Sequence, residues 1–502
     1  MAAAPRVRVT ELLAALSLAT DLATYQPLGH GLSTSLLAVE LAGELGCGPD
    51  RVRTVQQVAL LRFLGCTSDA AETGRVTGSA EALHYASMAP ALMGGPVGVV
   101  RALAKTVGVD EALPRRLGMI AGLLTDSGSL ANHCEVGTML ARRLGMAEAV
   151  TVALAHAYER WDGKGQPDGL SGVDIPLEVR IAVVARDADL FARSGEDVPG
   201  LLRARRGSAY DPAVVDAYLG LDRPVGEADW DQVLEAEPRP VAYVDDLDGA
   251  LAAVADFVDL KSPWTRGHSP RVADLASEAG RLAGLGPDAV VDLRRAGLVH
   301  DLGRVGVESS IWDRAGRLAT GDWEKIRLHP YLTQRILAHC PALADLAEIA
   351  SSHHERIDGS GYHRSLSGGH LSLEAQILAA ADVLAAVSAD RPQRGGVTVE
   401  AATALLEAEA AAGRLDSKAV SWVVAAAGGP PPAPRENPGG LSERELEVLG
   451  LLARGSTNRQ IGEALFISPK TVGRHVENIY AKTGVSTRAG ATMFAMENRL
   501  LG

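Results

Sequence analysis

Eight of the thirteen histidines fall between residues 268 and 370: His268, His300, His329, His339, His353, His354, His363 and His370. Helix propensity does not explain such an excess. Imidazole and carboxylate are the ligands that divalent first-row metals take, and a site for two ions needs more of them than one helix face offers. Two adjacent pairs stand out, His300-Asp301 in "RRAGLVHDLGRVGV" and His353-His354 in "SSHHERIDGSGY". Neighbours on a helix diverge by about 100°, so each pair can give one ligand to either of two ions, or bridge them. His268, His329 and Asp382 lie on separate predicted helices and complete a shell around one point. Any one of these histidines alone reads as an ordinary hydrogen-bonded residue. As a set they do not, because Asp301 in an apolar run costs several kcal/mol to bury unless a cation receives it.

In order along the chain, "TRGHS", "HDLGRVGV", "HP", "HHERIDGSGY" and "AAAD" resemble the HD-GYP branch of the HD phosphohydrolases, over roughly residues 260 to 395. The resemblance implies a helical bundle around a centre of two or three divalent transition-metal ions, usually iron or manganese, that hydrolyses cyclic di-GMP. Carried over position by position, it implies metal ligands at His268, His300, Asp301, His329, His353, His354 and Asp382, catalytic roles for Asp301 and Arg304, and a substrate-side loop at Gly361 and Tyr362. Arg304 replaces the family's usual lysine, four residues after His300 and so expected on its helix face; it keeps a phosphate-pairing charge and changes its geometry. His363 replaces the proline usual after Gly-Tyr. Neither change removes a metal ligand.

The elements that must position these groups are helical. A chain of 502 residues exceeds one ordinary core, which implies two to four domains. Aromatics make up only 4% and alternating strand patterns are scarce, as expected of a mostly helical protein. No apolar run approaches the roughly 18 residues that span a bilayer. The start "MAAAPRVRVTELLAAL" reads as an amphipathic helix without a cleavage pattern, so the expectation is a cytoplasmic protein with no membrane contact. Cys47, Cys66, Cys134 and Cys340 lack metal spacing and read as small buried thiols. The net charge of −13 argues against binding nucleic acid over the whole surface, so any DNA contact is local.

The chain also repeats itself. "LGHGLSTSLLAVELAGELGCGPDRVRTVQQVALLRFLG" aligns without gaps on "RGHSPRVADLASEAGRLAGLGPDAVVDLRRAGLVHDLG", with His30 and Phe63 standing 238 positions before His268 and Asp301. A second block, from "HCEVGTMLARRL" to "RDAD", precedes its counterpart by 196, so the first copy carries 42 extra residues somewhere between 66 and 132. In that copy Arg62-Phe63 replace His300-Asp301, Ala157-Tyr158 replace His353-His354, and Arg186 replaces Asp382; only His30 and His133 survive. Two imidazoles near two arginines make a poor metal site, so the first copy is expected to be metal-free and inactive. It reads as a scaffold, whose packing constraints outlive lost catalysis, or as a nucleotide sensor in which Arg62 and Arg186 replace metal charge.

Prolines interrupt helical periodicity at "EAEPRPVAYVDDLDG", residues 235 to 249, and "GGPPPAPRENPGG", residues 428 to 440, reads as a linker. The expected domains are a degenerate HD-like module at 5–235, an HD-GYP-like module at 245–427, and a tail at 441–502. In the tail, Ser442 with Glu445, Thr457 with Gln460, and Ser468 followed by Pro469 open three helices. The third buries Val472, Val476 and Ile479 and presents Lys470, Thr471, Arg474, His475, Asn478 and Lys482, donors suited to phosphates and base edges. "LSERELEVL", "NRQIGEAL" and "ISPKTVGRHVENIYAKTGVSTR" closely resemble the LuxR-type helix-turn-helix, and the tail has 8 Lys/Arg against 6 Asp/Glu. The resemblance implies binding to double-stranded DNA as a homodimer on two half-sites.

The expected architecture is therefore all-α, with two tandem HD-type helical bundle modules followed by a small LuxR-type helix-turn-helix domain. The expected function is a transcription regulator whose DNA affinity responds to a cyclic dinucleotide, or another phosphate ester, held or hydrolysed at a two-metal site. The alternatives are a phosphodiesterase whose tail only localises it, and a constitutive DNA-binding protein with a structural metal site.

Overall fold

The computed structural model describes residues 6–125, 128–221, 226, 228–428, 437–498 and 500–501. Among the described residues all regular structure is helical, and extended pairing is limited to isolated bridges. None of these helices is long and apolar enough to cross a membrane. The chain divides into two compact units: Met1–Ala250 with Glu308–Ser310, and Leu251–Val307 with Ile311–Gly502. Most of the proline-rich segment at 428–440 lies outside the described residues; Pro438–Gly440 forms a 3-10 turn.

In the first unit, the helix Val9–Ala23 departs from the amphipathic expectation. Twelve of its fifteen residues are buried, because its alanines and Ser17 are narrow enough for neighbours to approach on every side. It packs against the helices His30–Glu44, Pro49–Leu61 and Trp230–Glu235. The expected break at 235–249 is likewise no free spacer. The buried Glu237 accepts from Arg8 Nη2 at 2.6 Å, Val9 N donates to Ala242 O and Val244 N to Val7 O. The prolines stop the helix, but the backbone beyond them finds partners along residues 7–9, and the unit runs on to residue 250. Cys66 and Cys134 in this unit are buried, as is Cys340, whereas Cys47 is partly exposed.

The second unit contains two helices of the same lengths and spacing as a pair in the first. His268–Leu282 and Pro287–Val299 follow His30–Glu44 and Pro49–Leu61 by 238 positions, and Leu373–Ser388 starts 196 after Leu177–Arg193. Both leading helices follow a glycine of positive φ, Gly29 at 86° and Gly267 at 77°, a conformation that Cβ-bearing residues resist. His268–Leu282 crosses Pro287–Val299 so closely that a Cβ on Gly297 would stand 2.7 Å from Ala273 Cα. It also packs on Leu373–Ser388 and Ser417–Ala427.

The tail folds as four helices, Glu443–Ala453, Asn458–Leu465, Pro469–Thr483 and Arg488–Glu497. Ser442 and Glu445 form a reciprocal capping box, as do Thr457 and Gln460, while the Ser468 hydroxyl accepts from Thr471 N with Pro469 in the first turn. Val448, Leu449, Leu452, Ile461, Val472 and Ile479 make its core.

Gly297→Val drives two methyls into the backbone of the neighbouring helix. Overpacking of this kind costs about 1–3 kcal/mol, so denaturant unfolding should show a lower midpoint with an unchanged slope.

Candidate metal centre

Six of the seven expected ligands sit at helix ends or just beyond them. His268 and His329 are the first residues of the helices His268–Leu282 and His329–Leu337. The helix Pro287–Val299 stops before His300, and Asp301 leads into a 3-10 turn over Leu302–Gly306. His353 and His354 follow the helix Ala344–Ser351. Asp382 alone lies mid-helix, within Leu373–Ser388. The expected placement of His300-Asp301 on a continuing helix is thus corrected. Because the chain tightens into the 3-10 turn, Arg304 faces Asp301 instead of His300, with Nη1 3.0 Å from Asp301 Oδ2. The turn is pinned by Thr333, whose hydroxyl accepts from Gly303 N and donates to His300 O.

All seven groups meet. His268, His300 and Asp382 offer ligand atoms within 4.8 Å of one another, as do His329, His353 and His354. His300, Asp301 and His353 form a third such group linking the two. Asp301 Oδ1 lies 3.3 Å from His329 Nε2 and 3.6 Å from His353 Nε2, while Oδ2 lies 3.7 Å from His300 Nε2. His268 Nε2 is 3.1 Å from Asp382 Oδ1. The other histidines of the expected excess stay outside: His363 bonds Gln334, while His339 and His370 are exposed.

This donor set fits metal ions on its own geometry. His300, His329 and His353 each donate Nδ1–H to a backbone carbonyl three residues back, Gly297 O, Ile326 O and Ala350 O, which fixes the tautomer and turns the Nε2 lone pair inward. The Nε2 atoms of His329 and His353 face each other at 3.1 Å, an arrangement of two acceptors that a shared cation relieves. The buried Nε2 of His300 has no hydrogen-bond partner among the described residues. Electrostatics agree: burial, reinforced by His300 and His329, pushes the His353 imidazole down to about 3. Burial also lowers His268 and His354. Asp301 and Asp382 lie below the usual carboxylate range because surrounding imidazoles, with Arg304 beside Asp301, outweigh the burial that opposes ionisation. His268, His353 and His354 are thus neutral near pH 7 and Asp301 and Asp382 ionised, the states in which each ligates.

A cleft of about 610 Å³ opens over the centre. Tyr362 lines it, stacked on His354 with ring centroids 4.7 Å apart. Gly361 does not line it: a Cβ there would strike the Glu355–Arg356 backbone, so its place is in closing the loop. Sequence reasoning missed most of the remaining wall, which comprises Trp264, Trp312, Trp323, Arg317 and Arg391. The Arg304 guanidinium lies 3.9 Å from the Trp312 ring centroid. Burial and Arg304 push Arg391 down to about 10, where it remains charged. The available signal was compositional, since three of the chain's six tryptophans fall between residues 264 and 323.

On the tail, Lys470, Thr471, Arg474 and Asn478 are exposed along one helix and His475 is half-buried. Lys482 is exposed too, and its ammonium pairs with Glu445 at 2.7 Å and bonds Gly440 O beside the domain's capping structure.

A helical bundle whose helix ends gather histidines and aspartates beneath an arginine-lined cleft is the architecture of a metal-dependent phosphohydrolase. A family model of the HD domain matches residues 124–214 and 252–419, just over half of the chain, and the chain belongs to the HD-domain family, in its HD-GYP branch. A model of bacterial regulatory proteins of the luxR family matches residues 440–495. Over 419 residues the chain is 29% identical to 3′3′-cGAMP-specific phosphodiesterase 3 of Vibrio cholerae, covering 80% of this chain and 90% of that protein. A crystal structure of a cyclic GMP-AMP specific phosphodiesterase of V. cholerae is similar at a TM-score of 0.59 and 25% identity, over 85% of this chain and 99% of that one. The tail is 51% identical over 61 residues to the transcriptional regulatory protein LiaR of Bacillus subtilis, spanning 12% of this chain and 29% of that protein. The protein thus joins an HD-type phosphohydrolase to a luxR-family DNA-binding domain.

The depressed histidines set an acid limit on the metal-free protein. Below the ordinary imidazole value of 6.5 the unfolded chain takes up protons that buried His268, His353 and His354 refuse, so stability is full above that value and falls as pH drops toward about 3. His133 in the first unit opposes the trend; there Asp69 and Cys66 override burial and hold it well above the ordinary value. Denaturant unfolding in chelator should show lower stability near pH 5 than near pH 7.5, and a flat profile would contradict the three-histidine balance.

Proposed function

We propose that the protein hydrolyses a cyclic dinucleotide at a centre of two divalent ions, iron or manganese, and that this site governs DNA binding by the tail. The carrying observation is the paired geometry, His268, His300 and Asp382 on one side and His329, His353 and His354 on the other, with Asp301 facing both. Divalent ions held there supply Lewis acidity, which lowers the pKa of a water and offsets charge gathering on the phosphate. The chain's own groups do the rest. Arg304, held between Asp301 and Trp312, extends its guanidinium into the cleft to pair with a phosphate oxygen. Arg317 and Arg391 add positive charge for a second phosphate, and the tryptophans with Tyr362 offer faces on which bases stack. The buried indole N–H of Trp312 has no partner among the described residues and is free to donate to the ligand.

The relative matched over 90% of its length is named for 3′3′-cGAMP, and others for cyclic di-GMP, so both are the substrates to try. The DNA-binding reading rests on the exposed Lys470, Thr471, Arg474 and Asn478, with His475 beside them, and on dimerisation to span two half-sites. Leu501 O lies 2.9 Å from where a Cβ on Gly267 would stand, so the end of the tail abuts the residue before His268. That contact supports coupling between the centre and the tail.

Anaerobically purified protein loaded with iron or manganese should hydrolyse at least one of the two dinucleotides, and Asp301→Asn should abolish turnover and lower metal affinity by about 100-fold or more. Loss of folding in Asp301→Asn, with no turnover by the metal-loaded wild type, would instead favour a structural metal. Arg304→Ala should lower kcat/KM by about 100-fold while metal content is retained. Arg474→Ala should weaken DNA binding and reduce the salt slope by about 1, with hydrolysis unchanged. Equal DNA affinity with and without metal and dinucleotide would leave the tail as a localising device.

A further inference from the structure

The first unit contains a cavity of about 480 Å³ whose wall includes Tyr158 and Gln166. These residues stand 196 positions before His354 and Tyr362, which line the cleft of the second unit. The cavity is therefore the sequence counterpart of that cleft, with different chemistry. Below it the metal positions are closed by internal ion pairs: Arg186 Nε donates to Asp187 at 2.6 Å, and Asp189 takes both His30 Nδ1 at 2.6 Å and Arg193 Nε at 2.7 Å. The open space lies instead against helices of the longer stretch between residues 66 and 132, which contribute Val76, Met88, Leu92, Val99 and Leu103.

Charge is unevenly spread over this mostly apolar wall. Arg160 and Lys164 share the single carboxylate of Asp162, at 2.9 and 3.9 Å. Behind Tyr158, 5.5 Å from its ring centroid, stands the buried guanidinium of Arg62, none of whose three nitrogens has a hydrogen-bond partner among the described residues. Asp69 is neutralised by His133 at 2.9 Å, and Glu72, on the helix Ala70–Thr77, is exposed. The end bounded by Tyr158, Arg160 and Lys164 thus presents two cations against Asp162, while the buried Glu159 carboxylate accepts from the backbone N–H groups of Asp168 and Gly169. Among the described residues, the aromatic rings on the wall are Tyr158 and His84, unlike the three tryptophans of the second unit's cleft. A recessed, mostly apolar space with a few polar groups at one end is the form of a small-molecule site.

We propose that this cavity is a receptor site for a small, largely apolar molecule bearing one anionic group. The acid group lies toward Tyr158 and Lys164, and the apolar body lies along Met88, Leu92 and Leu103. The ligand is of a different class from a dinucleotide, whose two phosphates and two bases this wall does not match. The proposal stands independently of hydrolysis in the second unit.

The test uses the full chain and 8-anilinonaphthalene-1-sulfonate, an aromatic body with one sulfonate, followed by its fluorescence. One saturable site per chain is expected. Leu103→Trp, which fills the cavity, and Lys164→Glu, which reverses charge at an exposed rim position, should each weaken binding by about tenfold or more. Trp323→Ala, in the cleft of the second unit, should leave it unchanged. Lys164→Glu keeps the test decisive should Leu103→Trp impair folding. Unchanged affinity in Lys164→Glu, loss only in Trp323→Ala, several equivalent weak sites, or displacement of the probe by cyclic di-GMP at the cavity would each overturn the proposal.

Discussion

The structure of the second unit turns on one buried carboxylate. Asp301 is 5% exposed and ionised, and its two oxygens look toward different histidine groups. A carboxylate so placed is costly without cations, and its neighbours are arranged around that need. Arg304 answers part of it with a direct ion pair. Thr333 fixes the turn that carries the carboxylate, and Gly303 is small because a Cβ there would stand 2.1 Å from His329 O. Changing the turn would therefore move a ligand on each side of it.

Helix termini do most of the positioning. Placing ligands where helices begin and end lets several elements converge on one point without long loops. Three of the histidines also use carbonyls from the last turn of the preceding segment to set their ring orientation. The first unit keeps the corresponding helices and the positive-φ glycine before the first of them, yet holds Arg62 and Arg186 where ligands would stand. Its Arg186–Asp187 and His30–Asp189 pairs satisfy buried charge within the protein. The corresponding positions of the first unit thus hold internal ion pairs, and its outer cavity is the feature with chemistry of its own.

Much of this was legible in the chain. Histidine and aspartate types at fixed intervals brought out the seven groups that converge, and Ser442, Thr457 and Ser468 marked helix starts in the tail because capping is a local interaction. What was not legible depended on tertiary partners. The stop before His300 has no proline or glycine to announce it; it follows from the Thr333 hydroxyl reaching across from another helix. The central burial of Val9–Ala23 depends on neighbours approaching from all sides. The partner of Lys482 is Glu445, 37 residues away, and the tryptophan and arginine wall assembles from segments more than a hundred residues apart. Helical periodicity carries no information about such meetings.

The most direct test of the Asp301-centred account is electron paramagnetic resonance of the manganese-loaded protein, with bound metal counted per chain. Two ions held on the two sides of Asp301 would give an exchange-coupled spectrum at a stoichiometry of two. A spectrum of isolated ions at one per chain, in protein loaded to saturation, contradicts it.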